Sequence, residues 1–179
     1  MGHSLSQKVI IMDVKIGSMN VSIWSILLII GGLLAFIGMF LDYVVMTIDL
    51  GFLGSESEGF TGLDLLDSDE DEYGALSFVS KFPLVIGIVG ILALLSGVLP
   101  MFVKGQDKVF TIAGAVLAVV AVVLAIWFFV QGVGPGLFVD EPMQKLFGDT
   151  LSAGVGLYLA LVGSIVAAVG GILNLKEAL

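Results

Sequence analysis

Cysteine and arginine are both absent from this 179-residue chain, and histidine occurs once, as His3. Without cysteine there is no disulfide framework, no thiolate metal site and no thiol redox chemistry. A lone histidine leaves no imidazole set for a metal or for acid–base catalysis. Seven lysines are the only strong cations against sixteen Asp and Glu, and the formal net charge is −9. Phosphate contacts need clustered Lys or Arg, so nucleic-acid binding is excluded. Charge of either sign is scarce: 13% of residues are charged, where soluble domains carry roughly 25%. No Ser/His/Asp set, P-loop or dinucleotide fingerprint is present, and no cofactor is implied.

What fills the chain instead is apolar surface. Hydrophobic residues make up 58% of the sequence and mean hydropathy is +1.13. The apolar residues fall in four runs, at 21–41, 82–103, 109–130 and 151–173. Each has roughly 20 residues or more, enough at 1.5 Å per residue to cross about 30 Å of hydrocarbon. Trp24 and Tyr43 flank the first run as interfacial aromatics do, and Pro83 sits in the first turn of the second. The expected fold class is an all-α membrane protein, a four-transmembrane-helix bundle.

Between the first two runs lies a strongly acidic loop, 42–81, with no basic residue before Lys81. Lysine placement sets the orientation. With the N-terminus cytoplasmic, Lys8, Lys15, Lys104, Lys108 and Lys176 are inside, only Lys81 and Lys145 are outside, and thirteen of the sixteen acids are outside. The expected layout is a cytoplasmic or interfacial segment at 1–20, a long outer loop at 42–81, a tight inner turn at 104–108, an outer loop at 131–150 and a cytoplasmic tail at 174–179. In 1–20, Val9, Met12, Ile16 and Met19 recur at helical spacing, which fits a short interfacial helix or a plain polar lead-in.

The outer loops carry their own pattern. Val44, Met46, Ile48, Leu50 and Phe52 alternate with Tyr43, Val45, Thr47, Asp49 and Gly51, as in a strand with one buried face. Residues 54–59 then read as a turn and 60–66 as a second strand, making a small extracellular hairpin or sheet; the alternative is that 43–50 extends the first helix. In the second loop, Phe138, Met143, Leu146 and Phe147 are too apolar for a free loop and are candidates to face a partner, the first loop or lipid. Asp67, Asp69 and Asp71 alternate as calcium-loop carboxylates do, but Glu72 and Phe78 stand where an EF-hand needs glycine and a bidentate glutamate. They make at most a weak cation site, beside the plainer reading of a solvated acidic segment.

Small residues form the sharpest regularity. Gly156, Gly163 and Gly170 are seven apart, as are Ala153, Ala160 and Ala167; Gly31 with Gly38, and Gly90 with Gly97, echo the spacing. Helices in lipid pack through close contact at small residues, and a seven-residue repeat favours a left-handed crossing of about 20°. The stripes either hold the bundle together or leave one face for an oligomer. No run has an ionisable residue in its interior, which argues against a pump, a proton-coupled transporter or an intramembrane hydrolase.

The layout resembles the claudin and PMP22-like four-span superfamily, including its prokaryotic relatives. Phe40-Leu41-Asp42-Tyr43-Val44-Val45 sits where those proteins leave the first span and begin a strand, Gly62-Leu63-Asp64 falls where claudins carry Gly-Leu-Trp, and Gly154-Val155-Gly156-Leu157-Tyr158-Leu159 looks like the start of their last span. The resemblance implies a left-handed bundle topped by a small sheet, with lateral self-association and partner binding rather than catalysis. The expected function is therefore a non-enzymatic cell-membrane protein acting by interaction, as a homo-oligomer or with other membrane proteins in the bilayer. The alternatives are a channel subunit with an acidic, cation-attracting mouth, or an accessory subunit of a membrane enzyme complex.

Overall fold

The computed structural model describes residues 13–16, 19–66, 81–103, 105–132 and 150–178. Strands β1 (Asp13–Ile16) and β2 (Met19–Ser22) pair antiparallel, Asp13 opposite Ser22 and Ile16 opposite Met19. Of the two readings of 1–20, the strands contradict a helix through Ile16 and Met19, while Val9 and Met12 lie outside the described residues; β-branched Val14, Ile16 and Val21 favour extended backbone, and helical spacing alone does not outweigh it. Helix α1 (Ile23–Gly38) follows at once. The Ser22 hydroxyl caps it by accepting from the Trp24 amide at 3.3 Å, and donates to Glu177 Oε2 at 2.9 Å near the far end of the chain.

Among the described residues three further helices follow: α2 (Phe82–Val98), α3 (Asp107–Gly132) and α4 (Val155–Ala178). Each packs against two neighbours, α1 on α2 and α4, and α3 on α2 and α4, so the four close into a bundle. Three stretches, Phe82–Met101, Asp107–Val130 and Val155–Ala178, are helical, long and apolar enough to cross a membrane; α1 has 16 residues. Outward faces are apolar throughout: Ile30, Leu33 and Ile37 on α1, Ile88, Leu92 and Leu95 on α2, Val116 and Val123 on α3, Val162, Ile165 and Val169 on α4 are all exposed. Such continuous apolar surface around a whole bundle suits lipid and not water.

Inside, the filling is unusually thin. Ala35, Ala93, Ala118, Ala121, Ala125, Ala160 and Ala167 are buried, with Leu28, Ile86, Phe128 and Leu157 as the large side chains. Glycine lets backbones touch. A Cβ added to Gly163 would lie 2.6 Å from the Ala35 amide nitrogen and 2.7 Å from the Gly31 carbonyl oxygen, both on α1. The buried hydroxyls of Ser96 and Ser164 donate to carbonyls of their own helices, Ala93 at 2.7 Å and Ala160 at 2.7 Å. They are satisfied locally, each by its own helix.

A second, three-stranded sheet caps one end in the order β4-β3-β5, all antiparallel, from β3 (Asp42–Asp49), β4 (Ser55–Thr61) and β5 (Thr150–Ala153). Strand β3 overturns the alternative in which 43–50 prolong the first helix. The expected turn at 54–59 is instead the start of β4, and the reversal lies at residues 50–54, where Gly51 and Gly54 take positive φ of 65° and 99°. The strand expected at 60–66 ends at Thr61 and gives way to a 3-10 turn at Asp64–Leu66. Residues 151–153, expected as the start of the fourth span, belong to β5; α4 begins at Val155 and runs on to Ala178. Ala153 is therefore a strand residue, and the alanine stripe on α4 starts at Ala160.

The packing predicts a steep penalty at the α1–α4 crossing. Gly163→Ala should lower stability by about 2 kcal/mol or more and Gly163→Leu should prevent the bundle from forming, whereas Val162→Ala, on the exposed face, should change little. Thermal unfolding of the three variants in one detergent checks this; equal midpoints for Gly163→Ala and the parent would refute the crossing.

Candidate functional site: the sheet cap and its hairpin tip

The sheet is fixed to the bundle by close backbone approach and by one aromatic plug. Tyr43 and Val44, at the start of β3, are buried with Leu65, Phe82, Ile86, Phe128 and Leu157 in one apolar cluster. The Tyr43 ring meets Phe128 edge-on, centroids 5.4 Å apart at 75°, the favoured arrangement for aromatic pairs. The Gly154 amide donates to the Tyr43 carbonyl at 3.0 Å. Gly154 itself presses on the Asp42 carbonyl so closely that no Cβ fits. On the other side, a Cβ at Gly62 would lie 2.9 Å from the Met39 carbonyl oxygen and 2.8 Å from Pro83 Cβ. Gly62 and Gly154 thus seat the sheet on the ends of α1, α2 and α4.

The Tyr43 hydroxyl is buried and, among the described residues, has no hydrogen-bond partner. Burial pushes its pKa well above the ordinary phenol value of 10.0, because the phenolate would be stranded in an apolar cluster. Asp64 behaves oppositely. The Thr61 hydroxyl and amide both donate to its Oδ2, at 2.7 and 2.8 Å, and hold its carboxyl below the usual carboxylate range. This local ring stops β4 and turns the chain back toward the bundle.

At the opposite end of β3 the hairpin tip is a built loop. The Leu50 amide donates to the Gly54 carbonyl at 2.8 Å and the Gly54 amide to the Gly51 carbonyl at 3.1 Å. A Cβ at either position would meet nothing within 4 Å, so it is the positive φ and not space that calls for glycine. The loop presents Phe52 at 97% exposure and Leu53 at 72%. Below it, Ser55, Glu56, Ser57 and Glu58 of β4 are all exposed. Thr47 and Ser57 share a hydroxyl–hydroxyl bond at 3.0 Å across the two strands, and the Ser152 hydroxyl donates to the Val45 carbonyl at 3.3 Å.

The glycine positions read from the sequence pack against neighbouring helices inside the chain, some against other small residues and some against large ones. Gly156 lies against the Gly38 and Leu41 carbonyls, Gly163 against Gly31 and Ala35, Gly170 against Trp24 and Leu28, and Gly38 against Ala160, with Ala167 beside Gly31. Gly90 meets Gly32 and Ala35, and Gly97 meets Leu28 and Ile29. These glycine positions are occupied within one copy. Asp67, Asp69 and Asp71, and Phe138, Met143, Leu146 and Phe147, lie outside the described residues. Among the described residues no group of three or more His, Cys, Asp or Glu is placed to hold a metal. Sequence reasoning missed the tip because Phe52 continued the period-two pattern of β3; the signal was the pair of glycines bracketing Phe52 and Leu53. No known protein-family model and no curated protein matches the chain.

The orphaned hydroxyl gives a sharp expectation. Tyr43→Phe keeps the ring against Phe128 and removes a buried polar group, so it should raise stability by about 1 kcal/mol. The parent should also lose stability as pH rises past the ordinary phenol range, since the unfolded chain ionises there before the folded one does. The variant should lose less. Unfolding midpoints of both proteins between pH 8 and pH 11 read the difference; a less stable variant would mean that the hydroxyl has a partner.

Proposed function

We propose that the chain is a non-enzymatic, four-span protein of the cell membrane that acts by interaction, with both termini cytoplasmic and the sheet on the outer face. It associates with other membrane proteins or further copies of itself. The observation that carries this reading is the hairpin: a loop with a fixed backbone, held on a sheet seated against the bundle, that keeps Phe52 almost wholly exposed. A bare apolar side chain on a rigid mount is what a recognition element looks like.

Four spans are consistent with the dimensions. Helix α1 rises about 24 Å over its 16 residues. Tight turns continue it, with the Met39, Phe40 and Leu41 amides bonded to Phe36, Ile37 and Gly38, and three residues at about 2 Å each bring the total near 30 Å. The left-handed crossing follows from the seven-residue glycine repeat, and the likeness to claudin-type proteins agrees with a sheet-topped bundle. A channel within one copy has no support, because the interior is close-packed alanine and glycine with its serines bonded to their own helices. A pore would need several copies.

Natural absence of cysteine makes the topology directly testable. Single cysteines at Ser57 and at Gln106 should differ: an impermeant maleimide applied to intact cells should label position 57 and leave 106 unlabelled until the membrane is opened. The functional reading is tested by the native mass after gentle extraction, with co-purifying chains identified. Stable complexes above 18.7 kDa are expected; a strict monomer with no partner would overturn the proposal.

A further inference from the structure

The hairpin tip combines two properties that together specify its partner. Leu50, Phe52 and Leu53 are exposed apolar groups, at 45%, 97% and 72%. The stem beneath them is anionic: Glu56 and Glu58 are exposed on β4, Asp42 and Asp64 lie exposed at its base, and no Lys or Arg occurs anywhere between Asp42 and Lys81. Resting on the reading above, we infer that the tip docks into an apolar pocket rimmed by Lys or Arg on a partner protein, with Phe52 as the anchor.

The other occupants fit less well. A loop that enters a lipid surface pairs its apolar residues with Lys, Arg or Trp, which hold it at the headgroups; this one has only acids beside it and is repelled by anionic lipid. A second copy would bring Glu56 and Glu58 against their own equivalents, and like charges facing each other across an interface oppose pairing. The same two glutamates stand on an edge strand, where charge discourages strand-on-strand addition. A basic rim resolves both conflicts: it neutralises the stem, and it leaves the apolar tip free to fill a desolvated pocket, as aromatic anchors do. The tip projects at the end of an eight-residue strand, about 26 Å of chain from the bundle, so it can reach a pocket without moving the spans.

The test uses the full-length protein in its own membrane, with a photo-crosslinking phenylalanine analogue at position 52 and, as a control, at Val162 on the apolar face of α4. The expected result is one protein adduct formed from position 52 and not from 162, with a Lys- or Arg-rich surface at the mapped attachment site. Its yield should fall about threefold or more in the Glu56→Gln/Glu58→Gln variant and likewise when ionic strength is raised from about 0.05 to 0.5 M. A Phe52→Ser/Leu53→Ser variant of the parent should fold normally, since neither side chain is buried, and lose the complex about tenfold. Adducts only to lipid, only to a second copy, insensitive to salt and charge, or none at all would each overturn the inference. If a complex persists on native mass analysis while position 52 captures nothing, the tip assignment fails and the interaction role stands; a strict monomer removes both.

Discussion

Backbone touching backbone at the α1–α4 crossing is the constraint on which the rest depends. Lipid supplies no hydrophobic drive between helices, so association has to come from dispersion at short range. Glycine at Gly31, Gly38, Gly156, Gly163 and Gly170 brings the two main chains to that range. The same crossing positions the sheet. Gly156 abuts the carbonyls of Gly38 and Leu41, so the end of α1 and the start of α4 are neighbours. The strand leaving α1 and the strand entering α4 then run side by side in opposite directions, which is the β3–β5 pairing observed. The cap is a geometric result of the helix contact, locked by the Gly154 amide on the Tyr43 carbonyl.

The two halves of the molecule solve the polar-group problem differently. In the bundle the helices bond their backbone internally, and the hydroxyls of Ser96, Thr111 and Ser164 bond backward along their own helices. In the cap, amides bond across strands, and the apolar cluster around Tyr43 separates the two regimes. Tyr43 is large enough to plug the junction, but among the described residues its hydroxyl has nothing to bond there. It is a compromise between shape and satisfaction at a junction of helix and sheet.

Much of this was legible in the sequence, for identifiable reasons. Length and apolarity expose a long helix regardless of its surroundings, and α2, α3 and α4 were evident on that ground. The alternation of Val44, Met46 and Ile48 pointed to β3, although burial does not alternate along it: Tyr43 and Val44 are both buried and Val45, Met46, Thr47 and Ile48 are all half-buried between two strands. Strand β4 was misread because Ser55, Glu56, Ser57 and Glu58 have neither strand propensity nor a buried face; an exposed edge strand needs only a partner, and β3 provides it. Strand β5 hid inside an apolar run that suits helix or strand equally, and only its contact with a strand roughly a hundred residues earlier decides the matter. The glycine spacing announced close crossings but not which helix answers which, because a stripe names a face and not its occupant.

The clasp between α1 and α4 joins segments that a ribosome delivers far apart in time. Until the last helix emerges, Gly31 and Gly38 of the first lack the helix they pack against, and β3 has only β4. The wall facing Phe128 and Leu157 is likewise incomplete, so neither bundle nor cap can close early. Completion therefore waits for β5 and α4, which close the sheet and the helix ring. A chain interrupted before Thr150 would not be a smaller version of this protein; it would be three helices presenting an open seam of bare backbone to the lipid.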